Sequence, residues 1–308
     1  MTSGVSYRES GWPAAGWIEN LSLWAVQLPP VACTSEDECL RNVYQVSLEI
    51  RDHLELAARL RPTRELRPGQ QAILTGHMVR LFKLYDTFLL LLLAAGRAEV
   101  ADMFCRLITE TGIHLLFLLK RGNAEVFQSY RRASLAYKKK LLLKAGEWKG
   151  TPRLTNEEFA GIESVTKASF EREGLKLDDA ELECKWGGPR SNDIFKKAAA
   201  TGTEYHYEIG FRYGSQILHG TWLDLEQFHL LRLLDGYGPN TSYKICNWQT
   251  LDTLSSFSVT MAVAYLLYIT SDRKHPLVSR MAEFREWLVR MGEAGEEFRK
   301  QTRTSKVH

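Results

Sequence analysis

The sequence has few residues that interrupt helices and no cysteine spacing of the kind that marks a disulfide framework. Proline occurs nine times in 308 residues, and the five cysteines include no CxxC pair. An odd cysteine count without paired spacing is typical of a reducing compartment, so we expect a cytoplasmic protein. The opening residues MTSGVSYRES lack a basic segment followed by an apolar run, so we expect no signal peptide.

Apolar runs long enough to cross a membrane are also missing from the sequence. The most apolar segments are residues 88–96 and 259–270, and a transmembrane helix needs about 20 residues. We therefore expect two buried helices and no membrane contact. The net charge of +3 is too small to indicate a nucleic-acid partner by itself.

The sequence lacks the common motifs of metal, nucleotide and hydrolase sites. It contains no HExxH, GxxxxGK[ST], GxGxxG or GxSxG. Glu226 and His229 form a single ExxH, whereas di-iron bundles need two. His206 and Glu208 form HxE, but the CxxC that a zinc deaminase needs is absent. We expect no metal and no cofactor.

Helical periodicity fills most of the chain. It predicts an all-α, multi-helix bundle of about nine or ten helices. Residues 1–34 are expected to form an irregular arm, residues 35–300 a single all-α domain, and residues 301–308 a polar tail. SEDE from Ser35 and TNEE from Thr155 are expected to be capping boxes. One of the helices is predicted over residues 223–234.

A polar stripe runs along the helix predicted from Thr203 to Gly220. Its members step by three and four residues and so share one face: Tyr205, Glu208, Arg212, Ser215 and His219. Gly210 and Gly214 lie one turn apart on this helix, at a cost of roughly 1 kcal/mol each, which predicts close approach of another helix. The stripe is either a sheltered site or the solvated face of an amphipathic helix.

An earlier helix carries a second polar series. Arg106, Glu110 and His114 recur every four residues among large apolar side chains. The alternatives are an ordinary Arg–Glu pair at the surface and a buried ion pair that orients or faces the stripe.

A basic run follows in YRRASLAYKKKLLLK, with Tyr130 and Tyr137 interleaved. Its basic residues include Arg131, Arg132, Lys138, Lys139 and Lys140. Such a run either contacts a phosphate backbone with base stacking, or is a solvated helix face with the tyrosines packed inward.

The segments RLITETGIHLLFLLK and YHYEIGFRYGSQILHGTW resemble a bacterial family known as domain of unknown function 5677. The resemblance covers residues 72–222 and implies a helical bundle without an established activity. The family shares an Arg–x3–Glu helix and a later Tyr-rich helix that ends in Ser–x3–His before a small residue. The matching positions are Arg106, Glu110, Tyr207, Ser215, His219 and Gly220.

The pair Arg212 and His219 also resembles the motif of the HEPN ribonucleases, in which an Arg precedes a His by four to six intervening residues. The same spacing occurs at Arg303 and His308, but only the first pair lies on a well-formed predicted helix. A polar residue commonly follows the Arg in that family, whereas Tyr213 follows it here. The resemblance implies a helical, usually dimeric protein that cleaves RNA without metal.

On this hypothesis Arg212 binds phosphate, His219 is the general acid and base, and Ser215 orients the imidazole. Glu208, Tyr205, Arg106 and Glu110 would support them. The expected function is a ribonuclease or nucleic-acid-binding effector of a bacterial antiviral defence or toxin–antitoxin system. Its partners would be RNA and a second copy or a defence-system protein. The alternative is a non-enzymatic helical module that binds a partner protein.

Overall fold

The structure is a computed structural model that describes residues 27–93, 98–177, 186, 193–219, 221–240, 242 and 247–305. The expected irregular arm, residues 1–34, lies mostly outside these residues. Six longer helices precede the segment around Gly210: α1 Glu36–Arg59, α2 Pro68–Leu93, α3 Ala98–Arg121, α4 Ala124–Gly146, α5 Asn156–Arg172 and α6 Ile194–Thr201.

The remaining elements are shorter until the last two helices. They are α7 Glu204–His206, a π-helical segment Tyr207–Arg212, α8 Tyr213–Leu218, α9 Trp222–Asp224, a second π-helical segment Leu225–His229, β1 Leu230–Leu233, β2 Gly236–Pro239, α10 Trp248–Thr270 and α11 Pro276–Ser305. The prediction of an all-α, multi-helix protein is confirmed, with one small hairpin added.

The chain forms two compact units. The first combines the chain up to Leu119 with the chain from Thr203 onward, and the second is Lys120–Gly202. That residues 35–300 form a single domain stays a prediction.

The core of the first unit lies where α1 packs against α2, α10 and α11, and where α10 packs against α11. Apolar residues at helical spacing supply fully buried side chains from each helix, including Ile50, Leu54, Met78, Leu81, Leu266, Met281 and Phe284. Within the part of the chain that the structure describes, α10 is the one helix long and apolar enough to span a membrane, and 56% of its most apolar window is buried inside the protein. A buried core helix meets the same criterion of length and composition.

Three buried hydroxyl groups join the helices of this core. Ser255 of α10 lies 2.7 Å from the Tyr85 hydroxyl of α2 and 2.9 Å from the Ser47 hydroxyl of α1. Because buried polar groups need partners, this network favours one arrangement of the three helices.

Both predicted capping residues start helices. Thr155 and Glu158 form the complete reciprocal box before α5. Ser35 caps α1 by accepting from the Glu38 N–H, but the Glu38 carboxylate accepts from the Thr34 N–H at 2.8 Å. Cys33 and Cys39 lie beside this cap, with Cα atoms 5.2 Å apart. The sequence did not predict that these two residues approach each other.

One predicted boundary is wrong. The helix expected over residues 223–234 ends at His229, and β1 pairs antiparallel with β2 from Leu230↔Pro239 to Leu233↔Gly236. Gly236 has φ of 142°, which L side chains rarely adopt, and Pro239 cannot donate to a helix. The expected polar tail is helical as far as Ser305.

In the second unit α4 packs antiparallel against α5. Lys138 donates to the Ser169 hydroxyl at 2.8 Å, and Arg131 pairs with Glu173 at 2.6 Å. Leu135, Leu142 and Phe170 are buried.

Candidate functional site

The segment Glu204–Leu218 is a continuous helix, called the glycine helix here, that combines α7, the first π-helical segment and α8. The Tyr213 N–H donates to the Glu208 carbonyl, five residues earlier, which is the π-helical pattern. π-Helical turns inside α-helices are rare and occur frequently at functional sites. The glycine helix is therefore a candidate functional element.

The two glycines of this helix face α3 at very short range, as the sequence predicts. A Cβ atom added at Gly210 would collide with the Thr109 hydroxyl, and one added at Gly214 would lie 2.9 Å from the Arg106 Cβ. Real Cβ atoms essentially never approach that closely. The close helix contact offsets the cost of glycine in a helix interior.

The polar stripe lies away from this contact, on the solvated side of the glycine helix. Tyr205 is 67% exposed, the Arg212 side chain is 67% exposed, and His219 is exposed. Of the two alternatives that the sequence left open for the stripe, the solvated face of an amphipathic helix is the one that this exposure fits. The reason is geometric: residues two apart lie about 200° apart on a helix, so burying Gly210 and Gly214 turns Arg212 outward.

The contacts of the stripe residues are local. Arg212 pairs with Glu208 at 3.1 Å, as the spacing predicts. Ser215 donates to the Phe211 carbonyl of its own helix at 2.7 Å. The catalytic roles assigned to Arg212, His219 and Ser215 stay predictions.

Arg106 of α3 binds an aromatic ring of the glycine helix. Its guanidinium lies 4.8 Å from the centroid of Phe211, and that ring stacks on Tyr207 with centroids 5.2 Å apart. The Nε and Nη1 atoms of Arg106 are buried and have no hydrogen-bond partner within the protein. The pair expected between Arg106 and Glu110, both of which the structure describes, does not form an ion pair.

A group of exposed apolar side chains follows the stripe along the chain. This group, called the leucine face here, comprises Leu218, Trp222, Leu225, Leu231, Leu233, Leu234 and Tyr237, which are 40–106% exposed. Trp222 and Tyr237 pack edge to face with ring centroids 5.3 Å apart, which joins α9 to the hairpin. Sequence reasoning missed this face because it placed Leu231, Leu233 and Leu234 on a helix.

The basic run on α4 divides into structural and solvated residues. Arg131 and Lys138 bind α5, Lys139 is half-buried, and Arg132 and Lys140 are exposed. Tyr130 and Tyr137 also differ. Tyr130 packs edge to face against Trp186 with centroids 4.9 Å apart, whereas Tyr137 is 63% exposed. The solvated-face alternative thus fits Arg132 and Lys140, with Tyr130 packed inward and Tyr137 exposed. Contact with a phosphate backbone stays a prediction.

Among the residues that the structure describes, no three His, Cys, Asp or Glu side chains cluster closely enough to hold a metal ion.

Comparison with known proteins identifies a family and no activity. No curated protein and no solved structure matches the chain. A family model matches residues 71–236, more than half of the chain, and so covers every residue of the leucine face except Tyr237. All the motif positions noted above fall within this match. The chain therefore belongs to the family of unknown function DUF5677.

Proposed function

We propose that the protein is a HEPN-like, metal-independent ribonuclease whose Arg212–His219 stripe is completed by a second copy of the chain. The observation that carries the proposal is the position of this pair. Both residues lie on the exposed side of one helix, which leads directly into the leucine face. Exposed apolar groups of this extent mark interaction surfaces in soluble proteins.

The residue types suit cleavage of a phosphodiester by its neighbouring 2′-hydroxyl. His219 would remove the 2′-hydroxyl proton as its oxygen attacks phosphorus and the bond from phosphorus to the 5′-oxygen breaks. The 5′-oxygen would take its proton from water. The products would be a 2′,3′-cyclic phosphate and a 5′-hydroxyl. Arg212 would bind the charged phosphate oxygens through its planar fork.

Two features of the monomer bear on this role. The ion pair between Arg212 and Glu208 is exposed, so it is weak and a phosphate can compete for the guanidinium. Neither side chain is shielded from water in a single chain, and electrostatic catalysis is strongest where water is excluded. A second copy that covers the leucine face would supply that exclusion.

The biological setting follows from the same resemblance and is part of the proposal. We place the protein in the cytoplasm, as an effector of a bacterial antiviral defence or toxin–antitoxin system. RNA is the proposed substrate.

The direct test is cleavage of a single-stranded RNA in EDTA, with the cyclic phosphate product as readout. We expect His219→Ala to lower the rate by about 100-fold or more, the usual contribution of general acid–base catalysis. We expect Arg212→Ala to lower it by about 100-fold as well, because the charge on the reacting phosphate loses its electrostatic stabilisation. His229→Ala is the matched control, because His229 is a half-exposed histidine outside the stripe. Unchanged cleavage by His219→Ala would refute the catalytic assignment.

The requirement for a second copy is tested separately by light scattering. Trp222→Glu and Leu234→Glu place charges on the leucine face, so we expect monomers that no longer cleave RNA. Full cleavage by a monomeric variant would show that the second copy is not needed.

A second candidate, a non-enzymatic module that binds a partner protein, is favoured by the local contacts of Arg212 and Ser215. On this view the leucine face is the docking surface and the stripe is only its solvated border. Intact RNA after incubation with wild-type protein, combined with association that Trp222→Glu abolishes, would support this function over the ribonuclease.

A further inference from the structure

Two cysteines lie close together at the start of α1. Cys33 precedes the capping residue Ser35, and Cys39 is the fourth residue of the helix. Their Cα atoms are 5.2 Å apart, and the Cα atoms of disulfide-bonded residues usually lie about 4.4–6.8 Å apart. The backbone therefore already holds the two thiols at a separation that a disulfide can bridge.

The two side chains differ in exposure. Cys39 is fully buried, whereas Cys33 is half-buried. An oxidant in solution can therefore reach Cys33 but not Cys39. Redox-sensing cysteines are solvent-accessible and often lie next to a second cysteine that completes the disulfide. The exposures assign the first role to Cys33 and the second to Cys39.

The pair lies directly after residues 28–32, called the entry segment here, which contact helices of the first unit. Trp287 of α11 donates through Nε1 to the Pro29 carbonyl at 2.7 Å. The side-chain amide of Asn42 on α1 donates to the Ala32 carbonyl at 3.2 Å. A disulfide at the end of this segment would add a covalent attachment to these non-covalent ones.

The expected compartment bears on how such a pair behaves. The cysteine usage of the sequence is typical of a reducing compartment, where glutathione keeps thiols reduced and disulfides are usually transient. We therefore expect two thiols under resting conditions and a disulfide when the oxidant concentration rises. Such a pair suits a reversible device better than a permanent cross-link.

We propose that Cys33 and Cys39 are a reversible redox pair whose disulfide fastens the entry segment to α1. A low-molecular-weight disulfide, such as oxidised glutathione, is the oxidant. The inference does not depend on RNA cleavage, since neither cysteine belongs to the polar stripe.

The reaction consists of two thiol–disulfide exchanges. The Cys33 thiolate attacks one sulfur of oxidised glutathione, whose S–S bond breaks, and one glutathione thiolate leaves. The Cys39 thiolate then attacks the Cys33 sulfur of the mixed disulfide, and the second glutathione thiolate leaves. The two cysteines thus lose two electrons and two protons, and the two glutathione molecules take them up.

Equilibration of the full chain in buffers of reduced and oxidised glutathione tests the pair. After free thiols are blocked, mass spectrometry of proteolytic peptides should show a link between Cys33 and Cys39. The link should form as the oxidised fraction of glutathione rises, and it should disappear with dithiothreitol. Cys105→Ser, which removes a buried cysteine of α3, is the control and should leave the link unchanged.

Single variants test the order of the two exchanges. Cys39→Ser keeps the accessible thiol and removes the buried one, so the reaction should stop at a glutathione adduct on Cys33. Cys33→Ser keeps only the buried thiol, so Cys39 should carry no adduct. The opposite pattern of adducts would overturn the assigned roles.

Hydrogen exchange of the Trp287 indole N–H measures how firmly the entry segment is attached, because this group donates to Pro29. In the wild type, its proton should exchange more slowly after oxidation than in the reduced protein. In Cys33→Ser, the rates in oxidising and reducing buffer should be equal. Oxidation of the wild type should also lower the unfolding equilibrium constant by about 30-fold or more, the lower end of the usual range for a disulfide.

The measurements on the wild type decide the proposal even where a variant does not fold. It is overturned if no ratio of reduced to oxidised glutathione links Cys33 to Cys39, or if dithiothreitol does not reverse the link. Equal exchange of the Trp287 indole proton in the two states would overturn the fastening role.

Discussion

Gly214 of the glycine helix lies directly against the backbone of Arg106 on α3. A Cβ atom at position 214 would lie 3.1 Å from the Arg106 nitrogen and 2.9 Å from its Cβ. Backbone atoms inside a helix cannot turn aside as a long side chain can. This contact therefore fixes the distance between the two helices that carry the family's Arg and Ser–x3–His motifs.

The first prediction concerns this glycine. We expect Gly214→Ala to lower the free energy of unfolding by about 1–3 kcal/mol, because overpacking outweighs the better helix propensity of alanine. Gly76→Ala is the matched control, since Gly76 is an exposed position inside α2 with nothing within 4 Å of the added Cβ. It should stabilise the protein by up to about 1 kcal/mol. Urea unfolding measures both, and the same sign for the two variants would contradict the packing account.

The second prediction concerns the contact between Arg106 and Phe211. A double-mutant cycle with Arg106→Met and Phe211→Leu should give a coupling free energy of about 0.5–2 kcal/mol, the range for a cation over an aromatic ring. Methionine and leucine retain much of the apolar packing, so the cycle isolates the interaction of charge with ring. A second cycle of Arg106→Met with Glu110→Gln is the control, and it should give a coupling near zero because no ion pair joins those residues. Equal coupling in the two cycles would argue for a general charge effect.

Local signals in the sequence predicted most of the helical fold. Thr155 marks the start of α5 and Ser35 marks the start of α1, because a capping residue acts on the backbone of its own helix. The hairpin was missed because FHLLRLL fits a buried helix as well as a strand. The strand forms because residues 230–233 pair with residues 236–239 across the turn, and this pairing is not visible in FHLLRLL itself.

The candidate site was predicted less completely, as Gly210 and Arg212 show. The cost of Gly210 indicates that a helix must come close, but it does not say which other face of the same helix is then exposed. Burial of Gly210 against Thr109 is what leaves Arg212 in solvent.

The third prediction concerns the basic run on α4. Arg132 and Lys140 are exposed, whereas Arg131 and Lys138 hold α4 against α5. If the run binds RNA, the variant Arg132→Ala/Lys140→Ala should weaken binding and reduce the slope of log K against log salt by about 1.4, or about 0.7 per lost phosphate contact. The unfolding free energy should stay within about 0.5 kcal/mol of wild type.

The control for this experiment removes the same charge elsewhere. Arg285→Ala/Arg290→Ala changes two exposed arginines of α11 and should leave the salt slope unchanged. If both double variants reduce the slope equally, net charge rather than the α4 surface determines RNA binding.

The fourth prediction uses the buried carboxyl group of Asp252 on α10. Its Oδ1 atom is inaccessible and has no hydrogen-bond partner in the protein, and burial raises the pKa of Asp252 from 3.8 to about 7. The folded state therefore binds this proton more tightly than the unfolded chain does. The free energy of unfolding is therefore highest below pH 4, where the carboxyl group is protonated in both states. It falls between pH 4 and 7 and reaches its lower value above pH 7. Asp252→Asn should accordingly leave the unfolding free energy nearly unchanged at pH 4 and should raise it by up to about 4 kcal/mol at pH 8.

Glu293→Gln, at an exposed position of α11, controls for the loss of one negative charge. Urea unfolding from pH 4 to 8 separates the outcomes, because a gain that does not depend on pH would show that Asp252 is ionised throughout, and a loss at pH 8 would show that its carboxylate is stabilising.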